Sequence, residues 1–145
     1  MKQIILTPNA PSPIGAYSQA VKHNGILYIS GQIAIDPSTN KLVFDGIKKE
    51  TTLIMENISN ILREAGMTYE NVLFTTILLK DINDFERVNE IYSKYFNPDT
   101  APARAAYQVA TLPKNVNIEI TMIAGELFYL TICKSPPPLG GGDFL

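Results

Sequence analysis

Apolar and polar positions alternate, then recur at helical spacing, then alternate again along this chain. The segments AYSQAVK (16–22) and ILYISGQI (26–33) flank His23-Asn24-Gly25. Asn-Gly between two strand-like runs predicts a hairpin whose central residues take positive φ. Asp36-Pro37-Ser38-Thr39-Asn40 has the composition of a turn. From Ile47 to Ala65, the residues Ile47, Thr51, Ile54, Ile58, Ile61, Leu62 and Ala65 form one apolar helical stripe, and Gly66 sits where a left-handed C-terminal cap belongs. Val72 to Leu79 is a β-branched and aliphatic run, as in a buried strand. Asn83-Asp84 opens a second helix with Phe85, Val88, Ile91, Tyr92 and Tyr95 on its apolar side. It is expected to run to about Phe96, with Pro98 as its stop. Two strands follow, Arg104 to Val109 and Asn117 to Ala124, joined through Leu112-Pro113-Lys114-Asn115.

The resulting order, β-β-α-β-α-β-β, predicts an α+β fold: a two-layer sandwich in which two helices cover a sheet. No internal repeat or linker divides the chain. The last segment, 126–145, is odd. Within it, Leu127 to Cys133 is apolar enough to add a strand. The Ser135–Gly142 stretch holds three consecutive prolines and three consecutive glycines, so an irregular tail is expected there.

Composition narrows the chemistry. The chain has 145 residues, 46% hydrophobic and 18% charged, with a net charge of -2. That balance is globular, and it lacks the basic excess of a nucleic-acid binder. One cysteine, Cys133, and one histidine, His23, cannot build a zinc site of the usual kind or an internal disulfide. No acidic cluster has the spacing of a calcium or magnesium site, so no metal is expected. No apolar run approaches the ~20 residues of a membrane span, and the N-terminus lacks a signal-peptide pattern. A cytosolic protein is expected, with mitochondrial residence also open.

Two charged residues interrupt the apolar strands. Alternation along VNIEITM puts Asn117, Glu119 and Thr121 on one face, opposite Val116, Ile118, Ile120 and Met122. Along ARAAYQV it puts Arg104, Ala106 and Gln108 on one face. Arg104 and Glu119 lie close in sequence across one short connection and could reach a common site. There a guanidinium would bind a carboxylate in a bidentate fork while a carboxylate orients water. The alternative is a plain cross-strand Arg–Glu pair. Tyr17 is either an interface aromatic or a pocket hydroxyl. Ser30-Gly31 is either a strand end or a place where backbone approaches a ligand. Asn89, beside the apolar stripe of the second helix, either lines a pocket or ties down a loop.

The stretch PARAAYQVATLP (102–113) with Ile118-Glu119-Ile120 closely resembles the signature of the RidA/YjgF family. APSPIGAYSQAV, YISGQI and NDFERVNEIY resemble the same family in the same order, so the likeness implies one domain over residues 1–125 and an atypical extension over 126–145. The resemblance implies a chorismate-mutase-like fold with a mixed sheet and two helices on one face. It implies a homotrimer with active sites between subunits. It also implies hydrolysis of 2-iminobutanoate and 2-iminopropanoate to 2-keto acids and ammonia, without a cofactor. Such imines leak from PLP-dependent serine and threonine dehydratases. By position, Arg104 matches the carboxylate-binding arginine and Glu119 the residue that positions water. Tyr17, Ser30, Gly31 and Asn89 match pocket positions. Many members carry cysteine where this chain has Ala106, whose backbone carbonyl is still able to hold a water or the imine nitrogen. The same resemblance carries two other expectations: a non-catalytic trimeric binder or chaperone-like protein using the same cleft, and the family's older label of endoribonuclease and translation inhibitor. The single histidine and the negative net charge oppose the latter.

Overall fold

Residues 1–127 are described by the computed structural model. The strand-like reading of the segment after Leu127, and the tail at 135–142, lie outside them. Chain order is β1 (Gln3–Ile5), β2 (Ala20–His23), β3 (Ile26–Gln32), β4 (Ile35–Asp36), β5 (Lys41–Leu42), α1 (Ile47–Glu64), β6 (Val72–Leu79), α2 (Phe85–Tyr92), β7 (Ala103–Gln108) and β8 (Ile118–Gly125). Six strands form one sheet in the order β1-β2-β3-β8-β6-β7, and β4 with β5 makes a small ribbon. The β6–β7 pair is parallel and the remaining pairs are antiparallel, so the sheet is mixed. This is the α+β two-layer architecture the pattern predicts.

The local reasons are visible at the turns. Asn24 and Gly25 both take positive φ, 50° and 76°, which closes the β2–β3 hairpin. Gly66 follows α1 at φ 74°, and its amide donates to the Arg63 carbonyl. Every residue of the predicted α1 stripe is buried. Ile54, Ile58, Ile61 and Leu62 pack with Leu27, Ile29, Ile77, Leu79, Ile118, Ile120 and Met122 from one face of the sheet. Helix α2 joins the same layer through Val88 and Tyr92, and the Tyr92 hydroxyl lies 3.0 Å from Thr75 Oγ1 on β6.

Three expectations need correction. The second helix stops at Tyr92, and Ser93–Tyr95 tightens into a 3₁₀ turn, so the pattern overran it by about a turn. The first hairpin strand begins at Ala20, because residues 16–19 belong to a segment organised by the Gln19 side chain. Asn117 precedes β8 and does not share the outward face of Glu119: its amide reaches the buried carboxylate of Glu50 on α1, at 2.9 and 3.1 Å. Strands β1, β4 and β5 have two or three residues each, too short for alternation to register.

Among the described residues, no layer covers the other face of the sheet. Tyr28 is 51% exposed there, Phe74 37% and Tyr107 57%. Register places Tyr28, Ile123 and Phe74 in one row across β3, β8 and β6.

Candidate functional site

Arg104 stands on β7, the edge strand beyond β6. Its register partner is Thr75, whose side chain is buried toward the helices, so the arginine rises on the helix side. There its guanidinium carbon lies 4.8 Å from the ring centre of Tyr92 and 5.3 Å from that of Phe85. Aromatic faces attract a cation and hold the planar group flat. Nη1 donates to Asn89 Oδ1 at 2.7 Å. The arginine is therefore fixed by two rings and an amide, and among the described residues no carboxylate pairs with it. Its charge is left for an anion. Ala106 lies two residues on, beside a shallow depression shared with Ile82, Phe85 and Glu86.

Glu119 belongs to the opposite face. It pairs with Leu78, whereas Arg104 pairs with Thr75, and on β6 residues three apart point to opposite sides. Within one chain Arg104 and Glu119 thus do not meet, either as a cross-strand pair or as one site. Strand alternation brought them together only because it does not fix which face of one strand matches which face of another.

Around Glu119 a second set of residues does converge. The β3–β8 register shifts between Ile29 and Gln32, so Ser30-Gly31 bulges beside the carboxylate. A Cβ built on Gly31 would lie 2.7 Å from Glu119 Cδ and closer still to Oε1. Glycine is required here by the approach of a side chain, where a ligand had been one of the expectations. Ser30 Oγ donates to the Ser18 carbonyl at 2.6 Å, which leaves its oxygen able to accept. Tyr17 Oη accepts from the Ile14 amide at 3.2 Å. Burial raises the Glu119 carboxyl above the ordinary carboxylate range.

The wall opposite β3 is held by Gln19, which is fully buried. Its Oε1 accepts from the Thr7 amide at 2.7 Å, and its Nε2 lies 2.9–3.1 Å from the carbonyls of Thr7, Ala10 and Pro11. Together these groups enclose a cavity of about 460 Å³ lined by Tyr17, Ser30, Gly31, Gln32, Lys114 and Glu119, among others. Gln19 and Lys114 were not singled out by sequence: a lone glutamine or lysine near a turn carries no pattern. Of the expected site residues, Arg104, Asn89 and Ala106 form one group, and Tyr17, Ser30, Gly31 and Glu119 form the other. Among the described residues no cluster of three His, Cys, Asp or Glu could hold a metal. No described helix is long and apolar enough to cross a membrane.

Comparison with known proteins adds the family. The family profile described as endoribonuclease L-PSP matches residues 7–126. A RutC family protein of Saccharolobus solfataricus is 51% identical over 124 residues, covering 86% of this chain and 98% of the relative. A protein of Homo sapiens named 2-iminobutanoate/2-iminopropanoate deaminase is 51% identical over 124 residues, covering 86% of this chain and 90% of the relative. A solved structure of a Rid-family protein from Yersinia pestis superposes with a TM-score of 0.84 at 47% identity, covering 87% of this chain and all of that one. With likeness of this extent over most of its length, the chain belongs to the RidA/YjgF family, whose profile carries the endoribonuclease L-PSP description.

Proposed function

We propose that the protein is a 2-imino acid deaminase, hydrolysing 2-iminobutanoate and 2-iminopropanoate at clefts between the subunits of a homotrimer. One observation carries this: among the described residues Arg104 is held ready without a counter-ion, Glu119 is held over Gly31 without a cation, and the two stand on opposite faces of a chain. A second copy brings them together. An interface that sets one face against a different face is heterologous, and heterologous contacts of suitable rotation close into rings. Tyr28, Phe74 and Tyr107 supply an exposed apolar face for that contact. The family resemblance supplies the number three, and the relative named as a deaminase supplies the substrate class.

The chemistry follows from the two groups. The Arg104 fork binds the substrate carboxylate and fixes the imine carbon. Glu119 of the neighbouring subunit takes a proton from a water that attacks that carbon. The new C–O bond forms as the C=N π pair moves to nitrogen, which takes the proton that Glu119 received from water and gives a neutral carbinolamine. Glu119 then carries a proton from the hydroxyl to the amino group, so the C–N bond breaks as the C=O bond forms. Ammonia leaves and the 2-keto acid remains. The Gly31 amide and the Ala106 carbonyl are the backbone groups available to hold polar atoms during collapse.

The deciding experiment couples the protein to a PLP-dependent threonine dehydratase and follows 2-oxobutanoate. Keto acid should appear faster than in the dehydratase-only control. A rate equal to the control at excess protein overturns the reading and leaves a non-catalytic binder using the same cleft.

A further inference from the structure

One cation lines the Glu119 cavity, and neither the fold nor the proposed reaction uses it. Lys114 occupies the third position of the turn Leu112–Asn115, closed by the Asn115 amide on the Leu112 carbonyl at 3.0 Å. Pro113 precedes it, and Lys114 takes φ 56°, ψ 17°. This is the position of a type II turn where glycine fits without cost. A lysine holds the same left-handed backbone against its Cβ, and such outliers persist where the surroundings impose them, often at ligand sites. Among the described residues Lys114 makes no ion pair, as is true also of Lys2, Lys41, Lys80 and Lys94, but of these only Lys114 lines the cavity. Glu119, on the same cavity wall, is not its partner either.

The single chain's share of the cleft, before a neighbouring subunit closes it, is itself large enough for a small acid. At about 460 Å³ it falls in the range of small-molecule sites. A three-carbon imino acid fills no more than a few waters' volume, at about 30 Å³ each. With the first carboxylate taken by Arg104, Lys114, exposed at the cavity, is the lining cation that no described carboxylate pairs.

We propose that Lys114 is a second anion-binding residue of this site and that it admits imines of 2-amino diacids, receiving their side-chain carboxylate. The inference rests on the imine-hydrolase reading and extends its substrate class. The reaction is unchanged in atoms and electrons: water adds at the imine carbon and ammonia leaves, with the second carboxylate a bystander.

The test compares the monoacid imine from threonine with the diacid imine of glutamate, generated in place by an amino-acid oxidase. Wild type, Lys114→Gln and Lys114→Gly are assayed. The ratio of kcat/KM for diacid over monoacid should fall on the order of tenfold in both variants, as expected for loss of a charge-assisted contact. Lys114→Gly should melt higher than wild type, because glycine fits the left-handed turn, and yet show the same loss of selectivity. A purely structural role for Lys114 would not separate those two effects. Calorimetry with 2-oxoglutarate and 2-oxobutanoate gives a second readout that needs no turnover: the preference for the diacid should vanish in both variants. An unchanged ratio, or equal loss on both acids, overturns the proposal. Failure of wild type on the monoacid imine overturns the hydrolase reading instead, and the calorimetric arm still decides what Lys114 binds.

Discussion

Arg104 and Glu119 carry opposite charges two strands apart, yet neither neutralises the other, and their environments differ in kind. Aromatic rings and an amide position Arg104, while Glu119 is desolvated against glycine backbone. They should therefore separate kinetically. Arg104→Lys keeps the charge and loses the planar fork, so KM should rise and kcat/KM fall by roughly 1.5–3 kcal/mol, the value of a charged hydrogen bond. Glu119→Gln keeps the shape and removes the base, so kcat should fall about 10²–10⁴-fold with keto-acid binding nearly unchanged. Steady-state kinetics with melting curves decide this; wild-type turnover in Glu119→Gln would remove the mechanism. The pH profile gives the sign independently. The base works deprotonated, so kcat/KM is lost as pH falls through the carboxyl's raised pKa, and the rising limb should lie above the ordinary carboxylate range. Gly31→Ala tests the positioning. The added methyl must displace the Glu119 carboxylate, and a misplacement near 1 Å costs about 10²-fold. Activity should fall while the melting temperature stays close to wild type; full activity would show that Glu119 is not held by this contact. In the sequence, both charged residues were legible as interruptions of apolar strands. Their separation was not, because alternation gives parity within a strand and is silent on phase between strands.

At the scale of elements, α1, the Asn-Gly hairpin, β6 and β8 were legible, since each carries many residues of one period or a turn with a steric requirement. The segment from Thr7 to Tyr17 was not. It has no regular hydrogen bonding of its own and is held instead by one side chain, Gln19, reaching four backbone groups. That long-range polar contact leaves no periodic trace, yet it builds one wall of the cavity. Gln19→Leu keeps the bulk and leaves these backbone groups without partners, at about 1–3 kcal/mol for each that stays dry. The segment should instead loosen and hydrate. Amides at 7–17 should then lose hydrogen-exchange protection, while those of α1 keep theirs, and KM should rise more than kcat falls. Uniform loss of protection across α1 and the sheet would instead make Gln19 a global core residue.

For the whole molecule, the two-layer arrangement leaves one face of a six-stranded sheet without cover among the described residues, and Arg104 and Glu119 sit on opposite sides of that sheet. Both facts ask for another copy of the chain. Mass alone tests closure: sedimentation equilibrium should give about three times the 16.0 kDa chain. A stronger test asks whether the site itself is shared. Arg104→Ala and Glu119→Gln abolish different halves, so each variant alone should be nearly inactive. Co-refolded in equal amounts, they form mixed rings in which some clefts receive the intact arginine from one subunit and the intact glutamate from its neighbour. For random assembly with one heterologous cleft per subunit pair, each cleft draws both intact halves with probability of about one quarter. Activity should therefore recover to about one quarter of wild type after mixing. Mixing without refolding or subunit exchange should recover none. If both residues served a site within one chain, no mixture would restore a complete site. Recovery near one quarter, with a trimer mass for the mixed species, is the outcome expected of a site shared between subunits, and no recovery overturns it.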